Sequence, residues 1–527
     1  MLGDKPKAYY SVIIFQTIAS LAASFLLGCS SPSTDTPPPK REFRAVWVAT
    51  FHNIDWPSKK GLDPETQRKE FLQLVDVQQA NGMNALVVQV RPAGDAFYKS
   101  ELTPWSEYLT GTQGKKPEPY YDPLKYMVNL SHSRNLEFHA WFNPFRAVSH
   151  EKFSSVSDKN ISKQHPEWIM KNGKQLYLNP GIPEVRDHVI EVILEVVRNY
   201  DIDGIHFDDY FYPYEDAKNP FDDSVSFATY GKGQGDIRSW RRSNIDRFIE
   251  RLSDSLQQIK PHLKFGVSPV GIWRNKTEDP RGSNTRVSYT AYDVLYADVR
   301  KWLKKGWIDY VAPQLYWSMN NPKASYHNLL PWWSNNSFGR HLYIGQAVYK
   351  TKANDSKPWK NPNQLPSQLR MNQQFPKVKG SIFYSANSFQ NNPHKIQDKL
   401  RNEHFKYPAL VPGMKWKDSI PPLAPQRLTV RQVRKWASIS WQKPKPAADG
   451  EEASYYVIYR FKGQGKADMS DPSAILAIQK ETSFVDWGCQ AGETYLYIVS
   501  AVDRLHNESR SCAATMYSPE PEPISSK

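Results

Sequence analysis

Residues 183–214 read PEVRDHVIEVILEVVRNYDIDGIHFDDYFYPY. Pro183 suits the first position of a helix. Val185, Val189, Val192 and Val196 then fall on one face, the spacing of an amphipathic helix. Asp203-Gly204 turns the chain into a short apolar strand, 204–208. The densest acidic and aromatic cluster of the chain stands at the far end of that strand. Helix, turn and strand ending in chemistry is the unit of a parallel α/β fold.

The same unit recurs on both sides. Strand-like runs lie at 44–50, 85–90, 137–142, 204–208, 264–268, 309–315, 342–348 and 381–385. Helix candidates lie between them. One opens at Asp63-Pro64 and ends near Asn81-Gly82, a second opens at Asp122-Pro123 and a third at Pro183. Others cover 238–260, 291–305 and 391–402. Eight such repeats favour an α/β fold of the (β/α)8 TIM-barrel type over an open doubly wound sheet, and place the active site at the C-terminal strand ends.

Those ends carry a consistent mixture. By strand alternation His206, Asp208 and Tyr210 share one side of the fourth strand. Asp208 is the first candidate for a catalytic carboxylate, Asp209 the second, and Glu215 a third. Around them the other strand ends supply His52, Arg91, Asp95, His139, Trp141, Asn143, Arg146, Gln314, Tyr316, Trp317, Gln346, Tyr384 and Asn387 as substrate-binding candidates. Aromatic faces for the CH-rich sides of sugar rings, with amides and carboxylates for hydroxyls, suit a carbohydrate. No HExxH, Walker loop or GxGxxG is present, so neither a metal nor a cofactor is expected.

The 527 residues, 39% hydrophobic and 23% charged, exclude a polytopic membrane protein and a mostly disordered chain. The net charge of +14 is dispersed and has no long Lys/Arg run, so no nucleic-acid partner is expected. Three cysteines cannot build a disulfide scaffold. At the N-terminus Lys5 and Lys7 precede an uncharged run that ends in Gly28-Cys29. Residues 1–28 read as a lipoprotein signal with lipidation at Cys29, and 29–40 as a flexible tether. An uncleaved anchor is the other reading. Both put the body in the cell envelope, anchored to a membrane; the outer membrane, with the body facing the periplasm or the cell surface, is expected.

REFRAVWVAT (41–50), QVRPAGDA (89–96), AWFNPFR (140–146), LNPGIPEVRDH (178–188), DGIHFDDYFYPY (203–214), FGVSP (265–269), GIWRN (271–275) and APQLYW (312–317) resemble the glycosyl-hydrolase-like barrel family of bacterial lipoproteins, of the DigH type. The resemblance covers 41–406. It implies a barrel acting on cell-wall glycan, in particular peptidoglycan strands lacking stem peptides, with Asp208 as a catalytic carboxylate. Residues 203–210 also resemble the chitinase-type DGxDxDxE motif, with His206 and Tyr210 where that motif has acids. That leaves the general acid unassigned.

After a linker at 407–420 the texture becomes all-β. PPLAPQRLTV, ASISWQKP, YYVIYRF, TSFVDWG and GETYLYIVSAVDRLHNES resemble a fibronectin type III domain at 421–517, followed by a tail at 518–527. The resemblance implies spacing or contact with envelope proteins. Cys489 and Cys512 fall in this region, where strand counting does not set them opposite each other. Three functional readings stand at this point. They are an exported cell-wall glycosidase, an inactive glycan-binding scaffold, and a surface enzyme digesting scavenged glycan.

Overall fold

The computed structural model describes residues 38–150, 155–214, 221–352, 357–463, 467–509 and 513–519. Cys29, Glu215 and Cys512 lie outside them. Eight parallel strands close on one another: β1 Phe43–Val48, β2 Ala85–Arg91, β3 Glu137–Phe142, β4 Gly204–Phe207, β5 Lys264–Val267, β6 Tyr310–Val311, β7 His341–Gln346 and β8 Val378–Phe383. Each pairs with its sequence neighbour, and β1 pairs with β8 through Phe43 and Gly380. The fold is therefore a (β/α)8 barrel.

Helices cover it where the caps direct. Asp63 accepts hydrogen bonds from the Glu65 and Thr66 amides to open Pro64–Ala80, and Asp122 accepts from the Lys125 amide to open Pro123–Ser133. Pro183–Asn199 and Ile237–Ile259 follow the expected spans. Two helices are shorter than expected. In place of 291–305 only Val299–Lys305 is helical, because Tyr296 adopts a left-handed φ of 56° and Asp298 provides the cap. In place of 391–402 an α-helix begins only at Ile396, after left-handed residues at Asn391, Asn392, His394 and Lys395.

Inside the barrel the lower layers are aromatic. Phe43 stacks on Tyr343 with centroids 4.2 Å apart, and Tyr310 lies 5.1 Å from Tyr343. Gly266 makes this possible, since a Cβ there would stand 1.9 Å from the Tyr310 ring. Tyr310 in turn organises two histidines. Trp47 Nε1 donates to His206 Nε2 at 3.1 Å, so His206 presents its Nδ1 hydrogen to the Tyr310 hydroxyl at 3.0 Å. The hydroxyl passes its own hydrogen to His139 Nδ1 at 2.8 Å, and His139 Nε2 meets Glu137 at 3.1 Å.

Residues 407–420 run beneath the barrel. Val411 and Met414 join its interior core, and Trp416 Nε1 donates to Asp309 at 2.8 Å. Two antiparallel sheets follow. β9 Gln426–Val433, β10 Trp436–Gln442 and β13 Ser483–Asp486 form one, in the order β9-β10-β13. β11 Tyr455–Lys462, β12 Ile475–Gln479, β14 Tyr495–Val502 and β15 Ala513–Tyr517 form the other, in the order β12-β11-β14-β15. Ile439, Trp441, Tyr456, Ile458, Tyr497 and Val499 fill the space between them. Cys489 is a buried free thiol. His506, after β14, reaches the barrel's underside and meets Glu137 at 2.5 Å. A cavity of about 560 Å³ lies there, lined by Glu137, Asp203, Tyr455, Arg504 and His506 among others.

Candidate active site at the C-terminal strand ends

Two adjacent carboxylates follow β4, and different sides of the barrel hold them. Asn143, after β3, donates through Nδ2 to Asp208 Oδ2 at 2.5 Å, and the Tyr210 amide donates to Oδ1 at 3.1 Å. The Asn143 amide has one possible orientation. Its Oδ1 accepts from Gln89 Nε2 at 2.6 Å and from Arg146 at 3.1 Å, so its NH2 must face Asp208. Gln89 is fixed likewise, its Oε1 accepting from the Thr50 and Phe51 amides at 3.1 and 2.8 Å. A chain of oriented amides therefore runs from the end of β1 through β2 and β3 to Asp208.

Asp209 is held from the opposite side. Gln314, after β6, donates to Asp209 Oδ1 at 2.8 Å and to the Ser268 carbonyl at 3.0 Å, and the Tyr214 hydroxyl donates to Oδ2. Arg146 lies between the Phe51 and Tyr210 rings, 4.4 and 4.6 Å from their centroids.

Burial governs the titration of both acids. Asp208 is 7% exposed. Burial and then the Asp209 charge push its carboxyl up to about 7, against the pull of Arg146, the Tyr210 amide and Asn143. Asp209 is also raised by burial, while the Tyr214 and Gln314 hydrogen bonds favour its charged form. At neutral pH the pair is suited to holding one proton, with Asp208 as the proton-bearing acid and Asp209 as the anion. Such a pair can donate a proton to a leaving oxygen and stabilise positive charge beside it.

An aromatic wall completes the site. Tyr384 lies 6.2 Å from Trp47, 6.3 Å from Tyr316 and 5.9 Å from Tyr349. Trp141 lies in the same interior cluster as Trp47, and its buried Nε1 has no hydrogen-bond partner among the described residues.

Of the expected site residues, Asn143, Arg146, Gln314 and Tyr210 are gathered around the two acids, and Tyr316 and Tyr384 form the wall. Trp317 is half-buried just beyond Tyr316. His52 is exposed on the first loop, edge-on to Phe51. Asn387 is tied into that loop instead, its amide donating to Asp55 and its side chain to the Ile54 carbonyl.

Five candidates require correction. His206 and His139 face the interior but lie below the rim, wholly buried and bonded to Trp47, Tyr310 and Glu137. Burial, with His139 adding to it, holds the His206 imidazole well below its usual range, so it stays neutral. Arg91 is buried and binds the Asn143 and Pro144 carbonyls. Asp95 is buried under its loop and accepts from Gln113. Gln346 faces the helical layer and bonds Tyr326.

Gln89, Trp47 and Tyr214 had not been expected. Gln89 was open to detection, as the one polar residue of 85–90 and on the interior parity shared by Ala85 and Val87. Tyr214 reaches Asp209 by the path of a loop, which no periodicity announces.

The chain is similar to several known proteins. Residues 42–361, more than half of the chain, match the family model described as Glycosyl hydrolase-like 10. Glycosyl hydrolase YngK of Bacillus subtilis (strain 168) is 44% identical over 483 residues, covering 90% of this chain and 93% of its own. Glycosyl hydrolase DigH of Escherichia coli (strain K12) is 35% identical over 378 residues, covering 67% and 85%. Among solved structures, alpha-L-fucosidase isoenzyme 2 from Paenibacillus thiaminolyticus superposes with a TM-score of 0.43 at 15% identity, over 69% of this chain and 49% of that one. The matched span runs from the start of β1 past β7 and contains Asp208, Asp209 and the residues that hold them, so the chain belongs to the Glycosyl hydrolase-like 10 family.

Proposed function

We propose that this chain is an exported glycoside hydrolase of bacterial cell-wall glycan, in which Asp208 is the general acid and Asp209 its anionic partner. The observation that carries this reading is the acid pair at the barrel mouth, with one carboxyl raised to about 7 and the other clasped by two donors. The Trp47, Tyr316, Tyr349 and Tyr384 wall supports a sugar substrate. The resemblance of the strand-end motifs to the glycosyl-hydrolase-like barrel family supports strands stripped of stem peptides as that substrate.

Incubation with purified peptide-free glycan strands is the test. Soluble fragments with new reducing ends are expected by mass spectrometry. Their rate of release should fall as pH rises through about 7, where Asp208 loses the proton it must donate. Strands that bind but stay intact would turn the reading to a glycan-binding scaffold.

The same reading gives the protein an envelope location through a lipidated Cys29, supported by the basic start and the apolar run before it. Cys29→Ala is then expected to move the protein from the detergent phase to the aqueous phase, and unchanged partitioning rejects the anchor. The strand orders β9-β10-β13 and β12-β11-β14-β15 support a fibronectin type III reading of the C-terminal sheets, with a role in spacing or envelope contact.

A further inference from the structure

The two C-terminal sheets differ in what covers their outer faces. Val457, Tyr459, Ile498 and Val502 point outward from the β12-β11-β14-β15 sheet and pack with Leu410 of the connecting segment, so that sheet is covered on both sides. The outer face of β9-β10-β13 lies open. Val433 stands opposite Trp436 there, and Ser438 stands between Arg431 and Val485. Trp487 follows β13 in the same alternation and meets Trp436 edge to face, with centroids 4.5 Å apart. Trp487 is 64% exposed and Val433 48%. Large apolar groups gathered on an open surface mark a place where something binds.

Two further features share this face. The Thr429 and Ser440 hydroxyls meet at 2.9 Å and, with Ser438, extend a polar row away from the tryptophans. From Trp436 to Ser440 the row runs about 13 Å, at the ~3.3 Å rise of a strand. The local charge is also of one sign, because residues 419–448 hold six Lys and Arg and no Asp or Glu. Arg431 stands on the face itself. Arg434 and Lys435 form the turn from β9 to β10, and Lys435 Nζ lies 5.8 Å from the centre of the Trp436 ring. All three bases are exposed, and none forms an ion pair among the described residues. Asp486, next to Trp487, is buried and paired with Arg460 at 2.8 Å.

We propose that this face is a second glycan-binding site, apart from the barrel mouth, that holds glycan strands bearing free carboxylates. The inference rests on the reading of peptide-free strands as the substrate. A stem peptide joined to its strand by an amide leaves a carboxylate on the sugar when it is removed. Such a strand presents CH-rich ring faces, hydroxyls and repeated negative charge. The protein face presents open indoles, a row of hydroxyls and bases without acids. Tryptophans and bases also suit a lipid surface. Here the tip of the hairpin beside the tryptophans is Arg434-Lys435, with no apolar group to enter a bilayer, and the hydroxyl row favours the strand.

The site faces away from the covered sheet, and hence away from the barrel and from Asp208 at its far end. It therefore retains the enzyme on a long strand and contributes nothing to a fragment too short to reach both places.

The full-length protein in detergent tests the site, with end-labelled peptide-free strands and fluorescence anisotropy, in an Asp208→Asn background that leaves the strands uncut. Trp487→Ala, Arg431→Gln and Lys435→Gln change exposed side chains, so melting temperatures should hold. Trp487→Ala should weaken binding of long strands about tenfold, and each base variant about threefold. Methyl-esterified strands should bind more weakly, respond little to salt and ignore the base variants. With Asp208 intact, Trp487→Ala should raise KM on long strands, leave kcat alone and leave short fragments unaffected. The site is overturned if the variants bind long strands as their parent does, if esterified strands bind as tightly as free ones, or if the variants lose only binding to anionic lipid vesicles. Strands that bind through Trp487 but are never cut by the protein with Asp208 intact would overturn the hydrolase reading and leave this site standing.

Discussion

Asp208→Asn will lower kcat on peptide-free glycan strands by about 10²–10⁴-fold, the usual contribution of a positioned general acid, while the melting temperature moves by no more than a few degrees. The two readouts separate because the substitution has opposing effects on stability. A carboxyl raised to about 7 when folded, against about 3.9 when unfolded, stabilises the fold fully only below the lower value. That contribution is lost as pH rises towards 7, and a permanently neutral side chain avoids the loss.

Against this gain, both Asp208 oxygens accept hydrogen bonds, from Asn143 and from the Tyr210 amide. An asparagine must turn its NH2 towards one of these donors and lose that bond, at about 1 kcal/mol. The proton that the acid delivers has no replacement, so activity falls while the fold holds. Asp209→Asn is the natural companion. It removes the anion and disturbs Tyr214 and Gln314, so its kcat should fall as well, with a larger change in melting temperature. Normal turnover in the Asp208 variant would remove that residue from the acid role.

The barrel was legible because each strand is short, apolar and followed by a capped helix, signals that depend only on neighbours in sequence. Asp63 and Asp122 announced their helices correctly. The expected helices at 291–305 and 391–402 erred where non-glycine residues such as Tyr296 and Asn392 take left-handed φ values, which composition does not reveal. The acid pair was legible for a similar reason, since Asp208 ends a strand on the interior parity.

Height along the barrel axis was harder to read. Strand alternation set His206 and Asp208 on one side of their strand, and the structure turns that side inward, but parity does not say how deep a residue lies. His139 is four residues before Asn143, roughly 13 Å back along the tilted strand at its ~3.3 Å rise. It therefore packs with Tyr310 in the core and not at the mouth. The partners of the acids, Gln89 from β2 and Gln314 from beyond β6, come together only when the barrel closes.

The barrel's underside should show the largest effect on stability. Lys264→Met is expected to destabilise the fold by about 3–5 kcal/mol at pH 7, the range for breaking one partner of a buried ion pair. Glu137 is buried, and burial alone would raise its carboxyl. Lys264, His506 and His139 hold it well below the usual range instead. Lys264 Nζ donates to Oε1, His506 Nε2 meets the same oxygen at 2.5 Å, and His139 meets Oε2 at 3.1 Å. Burial opposes the charge on His506 too, so this imidazole is a weak substitute for an ammonium.

Removing Lys264 therefore leaves a carboxylate in the core without its main counter-charge. In wild type the depressed Glu137 contributes stability that is present above its unfolded value of about 4.3 and lost as pH falls through the folded one. In the variant the folded value rises, so protonation relieves the strain and the deficit should narrow as pH falls from 7 towards 5. Denaturant unfolding at both pH values separates this from a simple loss of packing, whose deficit would be the same at each. Adding Glu137→Gln to the variant should recover much of the loss at pH 7, because no unpaired charge then remains in the core. A deficit that neither narrows with acid nor responds to Glu137→Gln would show that Lys264 acts through its packing and not through its charge.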